Sequence, residues 1–419
     1  MALAGGSPVD ASDREQQRQC LNKTASADVG RKRSRDGAMF LSSQDVVDLI
    51  GWRRRLHSQP ELSGEESLTA QEVRAFLALT APDGVVSGLG GEGVAVIYQG
   101  AGPGPTVMFR AELDALPIEE LSGAPYCSQV VGKAHLCGHD GHMAILAALG
   151  RGFGRARPKS GRVVLLFQPA EENGAGAAAV IGDAQFAEVA PDYVFALHNA
   201  PGIPLGEVAL GEGIVNCASR GMRVILDGTT AHASRPETGT SPMQAVASLM
   251  PALTALGSGG ALSDDYSLVT VTHVTMGEPA FGIAPGRAEI WVTLRTMSDA
   301  RMGDLCERAE ALVRDAASGA GLGIATSYHD VFGHCENNRE AVERLRDALD
   351  AEGVRHRPGE PVRGSEDFGR FGAVAKSAMF LLGAGVEHPS LHRPDYDFPD
   401  ELIARGAQVF MRTARDLLG

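Results

Sequence analysis

Four short apolar runs constrain this chain more than any other feature. Thr106–Phe109, Val163–Phe167, Tyr193–Leu197 and Ala378–Leu382 are each of strand length and nearly continuous in apolar character. A strand that is apolar on both sides of its pleat must be covered on both faces, which is how parallel sheets sit between helices. Helical patterns separate several of these runs, so the expected class is α/β with a mostly parallel central sheet. The first three runs each lead into ligand-type side chains: Asp114 after the first, Glu171 and Glu172 after the second, and His198 after the third. Sites in open α/β sheets gather at the carboxyl ends of strands, so the chemistry is expected in a single crevice there.

With 419 residues the chain exceeds one ordinary core, and two domains are expected. Residues 218–328 have a different texture, with strands that partly alternate (Met222–Asp227, Ser267–Thr272, Arg287–Arg295) and two helical patterns near 241–256 and 299–317. They read as a small inserted α+β domain with one covered sheet face. Residues 39–217 and 329–419 then form the first domain, and residues 1–38, polar and aperiodic around Arg31-Lys32-Arg33-Ser34-Arg35, read as a disordered extension. Helices are expected over 44–58, with Ser43 as N-cap, and over 68–79. A formal net charge of -14 argues against a nucleic-acid partner. No apolar run is long enough to cross a bilayer, and no signal peptide is recognisable. Six cysteines without framework spacing suit a reducing compartment, so a cytoplasmic location is expected.

The densest chemistry lies in Cys137-Gly138-His139-Asp140-Gly141-His142, read as a loop feeding a helix. Thiol, imidazole and carboxylate are all ligands for zinc-like cations, and glycines allow a sharp backbone turn. Asp114, in Ala111–Pro117, either caps a turn or orients a metal-bound histidine. Glu171 and Glu172 divide between a metal ligand and a base for water, or form a solvated acidic turn. His198 is either a ligand or a bonded core histidine. His392, in Leu391–Phe398, is distant in sequence but falls in the returning part of the first domain. Cys137, His139, Glu172, His198 and His392 together make a mixed S/N/O set that suits Zn, Mn, Co or Ni better than Ca. A cysteine nucleophile at Cys137 with a histidine base is the competing chemistry.

These motifs, in this order from about residue 48 to the C-terminus, resemble the M20 metallopeptidase family, and within it the amidohydrolase branch that acts on N-acyl amino acids, hippurate and indoleacetyl-amino-acid conjugates. The resemblance implies a zinc-peptidase-like catalytic domain with an inserted lid or dimerisation domain, and a homodimer or higher oligomer formed through that lid. It implies two divalent metal ions held by Cys137, His139, Glu172, His198 and His392. Glu171 would be the general base on a bridging water, and Asp114 would support a ligand. His232, in Thr230–Ser234, would stabilise the oxyanion, often across a dimer. Arg295 would hold the substrate carboxylate, with Arg235 as a further anionic contact, and Glu366-Asp367-Phe368 would form the acidic loop near the site. The expected activity is cleavage of an N-acyl amino acid amide to a carboxylic acid and a free amino acid. A dipeptidase-type peptidase and a non-catalytic small-molecule binder on the same scaffold are the alternatives. Two positions depart from the family pattern: Glu112 stands where Asp is common, and Gly282 stands where a substrate-holding Asn is common.

Overall fold

The computed structural model describes residues 40–419, so the expected disordered extension over 1–38 lies outside the described residues. Helices Ser43–Ser58 (α1) and Ser67–Ala78 (α2) precede strands Gly84–Leu89 (β1), Gly93–Gln99 (β2) and Gly102–Glu112 (β3). The cap of α1 is Ser42 rather than Ser43: Ser42 Oγ accepts from the Asp45 amide at 3.1 Å while the Asp45 carboxylate accepts from the Ser42 amide at 2.8 Å. This reciprocal pair satisfies two otherwise orphaned donors, which a Ser43 cap could not do here.

Helix His139–Arg155 (α3) leads to Ser160–Gln168 (β4), and two short helices, Gly176–Gly182 (α4) and Phe186–Val189 (α5), lead to Tyr193–Pro201 (β5). Short strands Val208–Leu210 (β6) and Gly213–Asn216 (β7) follow, then Ala218–Asp227 (β8), Ala231–His232 (β9), helix Met243–Thr254 (α6), Ser267–Met276 (β10), Ile283–Ala284 (β11) and Arg287–Thr296 (β12). Helix Asp299–Ala320 (α7), strands Gly323–Phe332 (β13) and Cys335–Asn337 (β14), helix Arg339–Ala351 (α8), strands His356–Pro358 (β15) and Lys376–Gly385 (β16), and helix Glu401–Leu418 (α9) complete the chain.

The main sheet runs β1-β2-β4-β3-β5-β16-β6-β15. Its centre, β4-β3-β5-β16, is parallel and contains all four apolar runs. Val107–Phe109, Val163–Phe167 and Val194–Leu197 are buried, as double coverage requires. On one face Phe410 of α9 packs on Phe109 and Phe380, with ring centroids 4.8 and 5.6 Å apart. On the other face Met108, Val164 and Val194 pack with Val180, Phe186, Phe368 and Phe371. The antiparallel hairpin β1-β2 extends the sheet beyond β4. Its glycines and half-exposed first strand give it no continuous apolar run, so it carries little sequence signal.

A second sheet, β10-β12-β8-β13, is wholly antiparallel. The alternation in β12 buries Ala288, Ile290, Val292 and Leu294 against Leu249 and Leu253 of α6 and Leu305 and Val313 of α7. The opposite face carries Trp291 and an Arg223–Glu289 pair and is open to solvent. Strand β13 was not foreseen, because an edge strand with exposed residues needs no apolar period.

Candidate metal centre

The strand order β4-β3-β5 sets three chain-distant segments side by side. Asp114 follows β3, Glu171 and Glu172 follow β4, and His198 comes from β5. His198 lies inside its strand rather than beyond the end, because pairing with β16 continues through Pro201. Cys137 and His139 reach the same point from the start of α3. The Cys137–His142 run is only half loop: α3 begins at His139, and Gly138 is its N-cap at φ 90°. The two glycines serve different ends. Gly138 supplies the left-handed turn, and a Cβ there would lie 2.2 Å from Asn199 Oδ1. Gly141 is ordinary helix, and its missing side chain makes room for the Phe398 ring, 2.3 Å from where a Cβ would stand.

The five expected ligands converge. Cys137 Sγ lies 3.3 Å from His198 Nε2 and 3.4 Å from His392 Nε2. His139 Nε2 lies 3.9 Å from oxygens of both Glu171 and Glu172, and His392 Nε2 lies 3.8 Å from Glu172 Oε2. Ligand atoms of Cys137, His139 and His198 all fall within 4.8 Å of one another, as do those of Cys137, Glu172 and His392. Two of the three histidines are oriented from the far nitrogen: His139 Nδ1 lies 2.8 Å from the Asp114 carbonyl, and His198 Nδ1 lies 2.9 Å from the Asn199 carbonyl. Both rings then aim Nε2 inward, the arrangement by which a carbonyl fixes the tautomer of a ligating histidine. His392 sits at φ 64°, a left-handed backbone, and its side chain is about half exposed.

The donor set fits divalent cations. His139 Nε2, Glu172 Oε1 and Asp114 Oδ1 are buried without a hydrogen-bond partner, and buried polar atoms are rarely left so. Burial raises the Glu172 carboxyl against the pull of His139, and Asp114 adds to the rise, giving a value of about 7. Burial, with Glu366 and Glu172 beside it, holds Glu171 well above the ordinary carboxylate range. Arg110 and His139 offset this crowding only in part, and a divalent cation would favour the charged carboxylates.

The nucleophilic reading of Cys137 fares worse. Burial and the neighbouring Glu172 and Glu171 push the thiol well up, and burial with His142 beside it pulls His198 down to about 3. A thiol that resists ionisation next to a weakly basic imidazole is a poor nucleophile pair.

His142 is not available as a sixth ligand. Its Nδ1 lies 2.6 Å from Glu112 Oε2 and its Nε2 2.5 Å from Asn199 Oδ1, while Asn199 Nδ2 donates to Tyr396 Oη at 2.6 Å. Glu112, the departure from Asp, closes this chain by pairing with Arg110 as well. Arg110 is buried and also meets Glu366 at 3.1 Å and Asp367 at 2.5 Å, so the acidic loop lies directly behind Glu171. Asp114 accepts from Ser63 Oγ at 2.7 Å and from the Glu172 amide at 2.9 Å, leaving Oδ1 3.6 Å from His139 Nδ1. Glu66, unremarked in the sequence, accepts from the Ala170 amide at 2.8 Å. Ala170 itself takes φ 52° immediately before Glu171.

Three expected residues stay apart from this cluster. His232 is exposed on β9, where its Nδ1 accepts from the Ser234 amide at 3.1 Å. Arg235 is exposed and lies 3.7 Å from Glu237. Arg295 donates from Nη1 to the Arg363 carbonyl and to Ser365 Oγ, each at 2.9 Å. Among the described residues no hydrogen bond or ion pair joins any of the three to Cys137, His139, Glu171, Glu172, His198 or His392.

Residues 108–416 match the family model described as Peptidase family M20/M25/M40. The chain is 31% identical over 368 residues to an N-acetyldiaminopimelate deacetylase of Priestia megaterium, covering 85% of this chain and 97% of that protein. It is 30% identical over 389 residues to an IAA-amino acid hydrolase ILR1-like 2 of Arabidopsis thaliana, covering 88% and 85%. Among solved structures it resembles a Bacillus subtilis protein described as a dinuclear metal binding peptidase from the M20 family, with TM-score 0.75, 25% identity and coverage of 90% and 99%. A match over most of the chain, carried by the same motifs that meet in space, settles the family: the chain belongs to peptidase family M20.

Proposed function

We propose that this protein is a metal-dependent amidohydrolase that cleaves the amide bond of an N-acyl amino acid. The observation that carries the reading is the convergence of Cys137, His139, Glu172, His198 and His392 on one point beside the buried carboxylate of Glu171. Relatives named as N-acyl amino acid deacetylases and as a hydrolase of an amino acid conjugate support this substrate class over a peptidase or a silent binder.

Those five residues would hold two divalent cations, for which Mn, Zn, Co and Ni all suit a mixed S/N/O donor set. Bound there, such cations polarise the acyl carbonyl and acidify water. The chain's own residues do the rest. Glu171 takes a proton from the attacking water as the C–O bond forms at the acyl carbon. It returns that proton to the nitrogen as the C–N bond breaks, releasing carboxylic acid and amine. Asp114 holds the His139 ring and the Glu172 amide in register. His232 donates to the tetrahedral oxyanion, and Arg295 and Arg235 receive the substrate carboxylate. Because His232 makes no hydrogen bond or ion pair to the cluster among the described residues, this reading has it delivered by movement of the β9-β11 ribbon or by a second copy.

We read residues 39–217 and 329–419 as the catalytic domain and 218–328 as a lid, whose open sheet face would join a second copy. Free cysteines at the described positions fit a cytoplasmic setting. The test is a panel of N-acetyl, N-benzoyl and N-arylacetyl amino acids assayed for free amine. Turnover should vanish on chelation and return with one of the four metals. Amine release indifferent to chelation would overturn the reading.

A further inference from the structure

The two ligand-bearing ends of the chain are tied together by one buried side chain that no motif assigns. Arg53 of α1 is fully buried. Its Nη1 donates to Asp140 Oδ2 at 3.1 Å and to Asp397 Oδ1 at 2.7 Å, and its Nε donates to Asp400 Oδ1 at 3.0 Å. Asp140 adjoins His139 at the start of α3, while Asp397 and Asp400 belong to the segment that follows His392. A single guanidinium therefore bridges the segment that carries Cys137 and His139 and the segment that carries His392. A planar fork with several fixed donors can do this, whereas a lysine ammonium cannot span three carboxylates with the same directionality.

The two sides depend on Arg53 unequally. Asp140 has a second cationic partner, His57 Nδ1 at 2.9 Å, and His57 is itself fixed to Glu120 at 3.2 Å. Among the described residues the Asp397 carboxylate has besides Arg53 only the Tyr126 hydroxyl, at 2.5 Å, and Asp400 has Arg54, whose side chain is 42% exposed. The His392 segment carries no regular secondary structure between β16 and α9. Its other ties are the His392 amide to the Leu136 carbonyl at 2.9 Å, Leu121 to the Pro394 carbonyl at 2.6 Å, Tyr396 to Asn199, and the buried rings of Tyr396 and Phe398, the latter seated on Gly141 of α3; none of them neutralises Asp397 or Asp400. Without Arg53, Asp140 stays paired, but two carboxylates in the His392 segment lose their shared buried cation.

We infer that Arg53 is a positioning residue that holds the His392 segment against the start of α3, and that it selectively supports the metal shared by Cys137, Glu172 and His392. The inference rests on the dinuclear reading above. Changes to groups that orient metal ligands typically weaken metal affinity about 10–100-fold. For Arg53→Met we expect that loss in one of two binding steps, with the other within about threefold of wild type. Arg53→Lys should fall between the two proteins. Asp397→Asn, at a partly exposed carboxylate, should show the same selective loss, smaller in size.

The experiment is stepwise titration of metal-stripped wild type and variants with Zn²⁺ and with Mn²⁺, plus metal content per chain by mass spectrometry after dialysis. Circular dichroism confirms that each variant is folded. Selective loss of one ion in Arg53→Met supports the inference. Two unchanged binding steps in a folded Arg53→Met overturn it, as does equal weakening of both steps. Should Arg53→Met fail to fold, Asp397→Asn decides on the same criterion. A wild type that binds no second ion overturns the dinuclear reading itself, so the two failures are told apart.

Discussion

The two sheets solve different problems. Around the main sheet the residues that back the site are locked from several sides: Asp114, Glu112, Arg110 and His142 are buried, and each has at least two partners. The second sheet is packed on only one face, and in the separate β9-β11 ribbon and its flanking turns His232, Arg235 and Phe281 project into solvent with few ties. The first region is preorganised, so changes to its proposed ligands and their supports should appear in metal binding and folding as well as in rate, while a change to the base alone should appear in rate. The second has little folded-state role to lose, so its changes should appear in turnover alone.

Four substitutions and one titration test that contrast. The largest effect is expected for Glu171→Gln, which removes the base while keeping its shape. The kcat should fall by about 10³-fold or more with both metals retained, read by steady-state kinetics alongside metal analysis. Retained turnover would remove Glu171 from the chemistry. Next, His232→Ala should cost about 10²-fold in kcat/KM, with stability unchanged to within about 0.5 kcal/mol in urea unfolding. A comparable loss of stability would erase the distinction between the sheets. Gly141→Ala drives a Cβ into the Phe398 ring and should cost about 1–3 kcal/mol. The same methyl at Gly282 meets nothing within 4 Å, so Gly282→Asn should leave Tm alone and alter only KM across a panel of acyl groups.

The titration concerns His57. Burial opposes its charge, but Asp140 and Glu120 prevail and raise it to about 10 from an ordinary 6.5. A pKa raised in the folded state stabilises fully below the unfolded value and is lost as pH climbs through the folded one. Stability of the wild type should therefore decline between about pH 6.5 and 10, and His57→Gln should flatten that decline. Parallel slopes in chemical denaturation of the two proteins would refute this ionisation.

How much of this was legible in the sequence follows from where the constraints act. The apolar runs announced the parallel core, because double burial leaves a one-dimensional mark. The proposed ligands could be picked out because Glu172 and His198 adjoin such runs, while Cys137, His139 and His392 lie in dense motifs. Arg53 and His57 were not readable, since in the chain they lie in an amphipathic helix among other basic residues, and only the fold reveals three carboxylates around them. Asn199 and Tyr396 lay beside noticed histidines, yet nothing in their spacing announced a relay to His142. Gly141 looked like a turn residue, whereas the reason for it arrives from Phe398, far along the chain.

The left-handed backbone of His392 has a consequence for redesign. Beyond glycine, that conformation is readily adopted by Asn, Asp and His, and other residues there cost on the order of 1–3 kcal/mol. Under the proposed dinuclear reading, metal preference at this position can thus be retuned toward oxygen with Asp or Asn at little backbone penalty. A thiolate or a longer carboxylate would have to overcome the backbone before it met the ion. Selectivity engineering has a freer hand at Cys137 and Glu172, whose backbones are not left-handed, than at the exposed ligand that looks easiest to change.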